Sequence, residues 1–310
     1  MERYLFKAVV MIRERVEARS TWERPGSGDF FTGKLVKSLL IDGNPRLKPF
    51  FEKEAGSAPK LIHVTPLYIE KFEKGKPRIR CIHSFREGKG FTRFIFYVGF
   101  VKSDAVTSPT MDAVYSALLN LSNRHRFGDR FFDVDLVSVE SIDVNREAEK
   151  AVEALMISGK IKLVFSSPTL LRDPFRTGKH KSLTPTPMNI FSTPVYINLY
   201  ITGKLRQSTF IKTLITIHKL LSEPHSIHNT VKVIQVKYEE DKNPIPALIG
   251  YINLYLNRHY QDQYTAKGID TKTLLKETFT TILALGTGTS RAIGFGHTII
   301  TPPSLGSHSV

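Results

Sequence analysis

Residues 286–296 form the run Gly286-Thr287-Gly288-Thr289-Ser290-Arg291-Ala292-Ile293-Gly294-Phe295-Gly296, in which four of eleven residues are glycine. The run stands between a predicted helix over 271–285 and a predicted final strand over 295–300. Glycine allows positive φ and a close approach of the backbone to a ligand. With its backbone N–H groups, the Thr289 and Ser290 hydroxyls and Arg291 facing outward, this glycine-rich loop would offer donors to phosphate groups. The alternative prediction is a turn that packs the helix against the sheet.

The two halves of the chain show the same order of predicted elements. Hydrophobic periodicity in the first half predicts a strand over 3–12, a helix over 32–41, strands over 61–64, 79–85 and 93–101, a helix over 109–121 and a strand over 131–142. In the second half it predicts a strand over 160–165, a helix over 210–221, strands over 231–238 and 247–256, and the helix and strand that flank the loop. This order predicts an α+β fold of two tandem ferredoxin-like βαββαβ domains, 1–148 and 158–310. The polar segment 145–158 is a linker or a connecting helix.

A basic, proline-broken insertion follows the first strand of the second half. Residues 166–187 contain Pro168, Pro174, Pro185 and Pro187 together with a cluster of cations: Arg172, Arg176, Lys179, His180 and Lys181. Prolines interrupt both helices and sheet ladders, so the segment predicts a surface loop or hairpin. Its charge makes it a candidate surface for phosphate groups.

Charge indicates the class of partner. The 310 residues include 44 Lys and Arg against 29 Asp and Glu, a formal net charge of +15. A surplus of this size favours a polyanion, because each neutralised phosphate releases condensed counterions. An ordinary basic surface and adhesion to anionic lipid are the alternatives, and nucleic acid is the partner that the charge favours most.

Composition excludes several other classes. Hydrophobic residues make up 41% of the chain, enough for a core, and no apolar run approaches the roughly 20 residues of a membrane span. Cys81 is the sole cysteine, which excludes a disulfide framework and a cysteine-based metal cluster. The glycine-rich loop fits neither the Walker nor the Rossmann pattern, so no cofactor is expected. We expect a cytoplasmic protein with no membrane partner.

Three segments together resemble a known family. The loop fits the spacing G-x-G-x5-G-x-G, and Ile62-His63-Val64-Thr65-Pro66-Leu67 and Phe165-Ser166-Ser167-Pro168 resemble strand motifs of the same group. The group is the repeat-associated RNA-binding (RAMP) superfamily of CRISPR systems, and the chain looks most like its endoribonucleases that process precursor CRISPR RNA. The predicted element order extends this resemblance over nearly the whole chain.

The resemblance implies a function and partners. The family implies binding of CRISPR repeat RNA and cleavage by the 2′-hydroxyl upstream of the scissile phosphate, without metal, to leave a 2′,3′-cyclic phosphate. Other subunits of a CRISPR effector complex are further possible partners, and a monomer or a homodimer is expected. The alternative is a non-catalytic subunit that only holds crRNA. An unrelated RNA-modifying enzyme and a structural or membrane-surface protein explain the sequence less well.

The candidate cleavage site departs from the family pattern. Many members use a histidine near the first helix, but residues 42–54 contain none. Lysines are present instead: Lys34 and Lys37 lie on the polar face of the first helix, and Lys60 precedes the next strand. Clustered lysines lower one another's pKa, so one of them could act as a base while the others stabilise the transition state. Solvated surface lysines are the alternative, and Arg24, Lys53 and His63 are reserve candidates.

The remaining expectations concern RNA contacts and metals. The predicted RNA-binding residues are Gly286, Gly288, Thr289, Ser290, Arg291, Gly294 and Gly296 in the loop, Arg172, Arg176, Lys179 and Lys181 in the insertion, and Arg258. The strands lack the aromatic signature of RRM domains, so stacking of bases on a sheet is not expected. His225 and His228 have no third ligand nearby in the sequence, so no metal site is predicted.

Overall fold

The first half of the chain forms a sheet with helices on one face. The computed structural model describes residues 1–15, 30–52, 58–73, 76–84, 92–128, 130–176, 181–223, 230–237 and 243–302. The elements of this half are β1 (Glu2–Arg15), α1 (Thr32–Gly43), α2 (Lys48–Phe51), β2 (Ile62–Val64), β3 (Leu67–Glu73), β4 (Lys76–Ile82), β5 (Arg93–Lys102), α3 (Met111–Leu119), β6 (Asn123–Phe127) and β7 (Arg130–Ile142). Within the described residues the strand order is β4-β3-β5-β1-β7-β6, and β2 also pairs with β5.

Side chains along each strand alternate between the two faces of this sheet, and helices α1 and α3 cover one of the faces. Phe6, Ala8, Val10 and Ile12 of β1 are buried in one core cluster with apolar residues of α1 and α3. The intervening residues of β1 point to the second face of the sheet. Each fully buried leucine of α1, such as Leu35, contributes about 1.5–3 kcal/mol through the apolar surface that it removes from water.

The second half forms another antiparallel sheet. Its elements are α4 (Val144–Ser158), β8 (Lys160–Thr169), β9 (Leu171–Arg172), β10 (Lys181–Ser182), α5 (Pro187–Ile201), α6 (Gln207–Leu220), β11 (Leu221–Ser222), β12 (Val231–Val236), β13 (Ile245–Leu256), α7 (Arg258–Ala266), α8 (Thr271–Leu285) and β14 (Thr298–Thr301). In the described residues the strand order is β11-β13-β8-β14, and β12 also pairs with β13. No helix in the described part of the chain is long and apolar enough to cross a membrane.

The α+β fold class is confirmed, and several element predictions need correction. The segment 145–158 is helix α4, as one of the two predictions for it had it; Asp143 caps its start and Gly159 ends it at φ +70°. The basic insertion contains a short hairpin of β9 and β10, as one of the two predictions had it. Helices α5 and α7 and strands β3 and β6 were not predicted. The final strand begins at Thr298 rather than at 295, because residues 286–297 all belong to the loop.

The two halves share buried surface. Helix α8 contacts β1, β2 and β5 on the second face of the first sheet. Gly99 of β5 makes this possible, because a Cβ there would lie 1.6 Å from the Ala284 carbonyl oxygen of α8. Leu5, Leu61 and Val101 of the first half belong to the same core cluster as the buried residues of α8. The domain division at 148 and 158 stays a prediction.

Candidate functional site

An open cleft lies beside the first helix. It has a volume of about 400 Å³. Its lining combines four charged side chains with a hydroxyl and an apolar floor: Lys34, Lys37, Lys48, Glu52, Ser38, Ile41, Phe127 and Ile293. Two of the three predicted catalytic lysines therefore line the same cleft. Ile293 belongs to the glycine-rich loop, so the loop forms part of the cleft wall.

Backbone contacts fix the position of α1 at this cleft. A Cβ on Gly33 would lie 2.3 Å from the Ile293 carbonyl oxygen and 2.7 Å from the Gly294 Cα, so the helix start and the loop touch backbone to backbone. Thr32 ties the same turn to the sheet, because its hydroxyl donates to the Ile82 carbonyl and accepts from the Leu67 N–H at 3.1 Å. Glycine at position 33 is what permits this approach.

Lys60 lies in the electrostatic field of the cleft. Burial lowers the pKa of Lys60, and the charges of Lys37 and Arg291 lower it further, while Glu52 acts in the opposite direction. Its Nζ donates to the Phe51 carbonyl at the end of α2. A buried ammonium near other cations loses its proton more readily than an exposed one. The pKa of Lys60 is thus lowered first by burial and only then by neighbouring cations, whereas the prediction rested on the clustering of lysines.

Glu52 is the carboxylate among these cations. Its Oε1 lies 3.8 Å from Lys37 Nζ, and its Oε2 lies 3.9 Å from Lys48 Nζ. Both pairs are partly exposed, where ion pairs contribute at most about 1 kcal/mol. Lys37 and Lys48 are thus held near the cleft by contacts weak enough for a phosphate to replace them.

The glycine-rich loop is folded inward, and the expectation that Arg291 faces outward is wrong. The Arg291 side chain is only 6% exposed and donates to the carbonyls of Leu285 at 3.1 Å and Lys60 at 3.0 Å. Burial lowers the pKa of Arg291 to about 10. Thr289 also turns inward, since its backbone N–H bonds the Leu170 carbonyl at 2.8 Å. Ser290 is exposed, with φ +59°.

The glycines of the loop allow this inward packing. Cβ atoms on Gly286, Gly288 and Gly296 would lie 2.3, 2.3 and 2.0 Å from carbonyl oxygens of Gly296, Leu170 and Thr287. These contacts of three glycines match the alternative prediction of a packing turn. The loop also supplies a hydrogen bond that α5 lacks. Pro194 has no N–H to donate to the Ile190 carbonyl, and the Thr287 hydroxyl donates to that carbonyl instead. RNA contact by the loop stays a prediction.

A buried histidine pair lies behind the loop. His63 Nδ1 is 3.0 Å from the Arg291 carbonyl, and its Nε2 is 3.3 Å from His297 Nδ1. Burial lowers the pKa of His297 to about 3, and burial beside His297 and Arg291 places the pKa of His63 well below its usual value. His63 is fully buried, so as it stands it is a poor reserve base. The sequence carried a partial signal for this pair, because His63 lies in the motif 62–67 and His297 directly follows the glycine-rich loop.

The other predicted RNA-binding residues lie on several elements. Arg172 and Lys181 pair across the β9–β10 hairpin, and the backbone of Leu170, just before β9, touches Gly288. Arg176 is exposed and lies 3.3 Å from Asp173, and burial lowers the pKa of Lys181. Arg258 begins α7 and donates to the Met156 carbonyl of α4. Several earlier candidates lie outside the described residues: Arg24, Lys53, Lys179, His180, His225 and His228.

Comparison with known proteins defines the fold. No family model and no curated protein matches the sequence. Among solved structures, a Cas6 product complex is similar at 13% identity and a TM-score of 0.57, covering 97% of this chain and 100% of that one. Thermus thermophilus Cas6 is similar at 12% identity and 0.50, covering 96% and 98%. A partial Cas6-RT-Cas1–Cas2 complex is similar at 13% and 0.51, covering 99% of this chain and 48% of that one.

These matches extend over nearly the whole chain. The protein therefore has the class of fold in which two ferredoxin-like units stand in tandem. More particularly, its fold is similar to that of the solved Cas6 structures.

Proposed function

We propose that the protein binds CRISPR repeat RNA and cuts it at the cleft beside α1, in the predicted domain 1–148. The observation that carries the proposal is the depressed pKa of Lys60 next to a cleft lined by Lys34 and Lys37. The likeness to a Cas6 product complex supports RNA processing through the fold alone. The net charge of +15 supports a polyanionic substrate.

The chemistry requires a base, an acid and positive charge. In the proposed reaction neutral Lys60 takes the proton of the 2′-hydroxyl, and the 2′-oxygen attacks the adjacent phosphorus. The bond from phosphorus to the 5′-oxygen breaks, and that oxygen takes a proton from the Lys34 or Lys37 ammonium. The products are a 2′,3′-cyclic phosphate and a 5′-hydroxyl. The remaining ammonium stabilises the charge on the phosphorane.

Simultaneous replacement of the three lysines tests the proposal. We expect Lys34→Ala/Lys37→Ala/Lys60→Ala to abolish cleavage of labelled repeat RNA in the presence of a chelator, because base, acid and countercharge are lost together. Binding should remain measurable by gel shift, because the hairpin and the other basic residues are intact.

A matched control removes three exposed lysines elsewhere, Lys204, Lys212 and Lys267. This variant has the same net charge as the triple variant and should cut at the wild-type rate. Cleavage by the Lys34/Lys37/Lys60 variant at the wild-type rate would end the lysine mechanism.

A non-catalytic crRNA-binding subunit is the second candidate. It is favoured by the burial of His63 and His297, which keeps both imidazoles away from a bound RNA and so removes them as bases. The same assay on the wild-type protein separates the two functions. A shortened RNA indicates a nuclease, and a shifted but intact RNA indicates a binding subunit.

A further inference from the structure

The sheet of the second half has one covered face. Helices α4, α6 and α8 contact its strands. Ile161 and Leu163 of β8 and Ile252 and Leu254 of β13 are fully buried toward these helices. The residues between them alternate to the opposite side, where they are half-buried or exposed. We call this opposite side the open face.

The open face is aromatic and basic. Strand pairing places Tyr255 beside Lys160, Asn253 beside Lys162, and Val164 between Tyr251 and Ile299. Besides Val164, this part of the open face carries six side chains: Lys160, Lys162, Tyr251, Asn253, Tyr255 and Ile299. None of the described strands of this sheet contains an Asp or a Glu. The described strands of this sheet therefore bring lysines and no carboxylate to the open face, which favours an anionic partner.

Each tyrosine ring on the open face is covered by a lysine. Lys162 Nζ lies 3.8 Å from the ring centroid of Tyr251, and Lys160 Nζ lies 5.4 Å from that of Tyr255. Tyr255 is 38% exposed. A lysine ammonium over a tyrosine ring can move away on its flexible side chain. The face of the ring can then stack on another planar group, such as a base.

The spacing of the rings suits a nucleic acid strand. Tyr251 and Tyr255 lie four residues apart on the same side of β13, which is about 13 Å along an extended strand. This distance leaves room for two separate bases. Proteins that bind single strands commonly combine such rings with cations that follow the phosphates.

We propose that the open face binds single-stranded RNA, with bases stacked on Tyr251 and Tyr255 and phosphates held by Lys160 and Lys162. This inference rests on the proposed RNA function and gives it a second contact surface, distinct from the cleft. It reverses the expectation that no base stacks on a sheet. An anionic membrane is less suitable, because the aliphatic side chains placed on this face by the strand pairing are only Val164 and Ile299, and the tyrosines carry polar hydroxyls.

The test uses a labelled single-stranded RNA of about ten nucleotides without secondary structure, and repeat RNA in parallel. We expect Tyr251→Ala/Tyr255→Ala to weaken binding of the single strand by about tenfold per ring, which corresponds to the stacking of one base on each. Tyr251→Phe/Tyr255→Phe should bind nearly as the wild type does, because the rings remain. As a matched control, Tyr115→Ala/Tyr196→Ala removes two partly exposed tyrosines from helices α3 and α5 and should leave binding unchanged.

The outcomes separate this inference from the proposed function. Wild-type affinity in the alanine variant overturns the open-face site. Melting temperatures of the variant and of the wild type are compared so that a loss of binding is not a loss of folding. Equal losses in the alanine and phenylalanine variants also overturn it, since stacking would not be the cause. Wild-type binding to vesicles of anionic lipid without binding to the single strand overturns it in favour of a membrane surface. Failure to bind either RNA ends the proposed function itself, whereas binding of repeat RNA alone ends only the open-face site.

Discussion

The pair of buried histidines shows how single residues couple the two halves. His63 comes from β2 of the first sheet, and His297 directly precedes β14 of the second. Their ring nitrogens meet at 3.3 Å, and the Tyr97 ring stacks on His297 at 4.8 Å between centroids. Neutral imidazoles suit this site, while a proton on either ring would place a charge near Arg291 without water.

This burial predicts a pH-dependent stability. Both histidines have a pKa below that of the unfolded chain, about 3 for His297, so the unfolded state binds protons first as pH falls below about 6.5. The free energy of unfolding should then fall by about 1.4 kcal/mol per pH unit for each proton that only the unfolded chain binds. Denaturant unfolding of the wild type and of His297→Gln between pH 7 and 5 measures this. The variant should show a shallower slope, and identical slopes would contradict the prediction.

At the scale of elements, the contact between α1 and the glycine-rich loop determines the shape of the cleft. Gly33 meets Ile293 and Gly294 at the start of the helix, and Gly43 meets the Ala117 carbonyl of α3 at its end. Both glycines permit close backbone packing, but only Gly33 touches an element that lines the cleft.

These two glycines make a matched pair of substitutions. Gly33→Ala and Gly43→Ala each place a Cβ about as close to a carbonyl oxygen, at 2.3 and 2.4 Å, so both should lower Tm. Only Gly33→Ala should also slow cleavage of repeat RNA, by roughly tenfold or more, because it shifts Lys34 and Lys37 relative to the loop. The rates are compared at a temperature where circular dichroism shows both variants folded. Equal effects on cleavage would exclude a special role for the loop contact.

Elements with strong local signals could be predicted from the sequence. Helix α8 was predicted over its full span, because apolar residues recur with helical spacing through 271–285. Asp270 marks the start of the helix: its carboxylate accepts a hydrogen bond from the Thr273 N–H at 3.0 Å. Helix α5 was missed, because Pro187 and Pro194 resemble loop signals and its burial on nearly all sides removes the periodicity.

The site was predictable only in part. The lysine positions follow from the helical spacing of Lys34 and Lys37. The direction of Arg291 does not, because its acceptors are carbonyls of Leu285 and of the distant Lys60. Glycine spacing alone gives no information on whether a loop packs inward or faces a ligand.

At the scale of the whole molecule, charge is distributed unevenly. The second sheet contains no Asp or Glu in its described strands, whereas Asp133, Asp135 and Glu140 lie on β7 of the first. If the protein binds RNA as proposed, cations of the cleft, the hairpin and the open face would each contact different phosphates of one strand.

This distribution predicts a strong salt dependence. If six or more phosphates are neutralised, the affinity for repeat RNA should fall by about 10³-fold or more between 50 and 200 mM salt. Fluorescence anisotropy over a salt series measures the slope, and cleavage at saturating RNA should vary much less. An affinity that does not change over this range would contradict electrostatic RNA binding.

The seating of α8 on the first sheet has a consequence for biosynthesis. The ribosome synthesises β1, β2 and β5 long before residues 271–285. Until α8 is made, the surface that it covers stays exposed, including Leu5, Leu61, Val101 and the backbone of Gly99. Nascent domains generally begin to fold in order of synthesis. In this chain the first sheet reaches its final state only after residues 271–285 have left the exit tunnel.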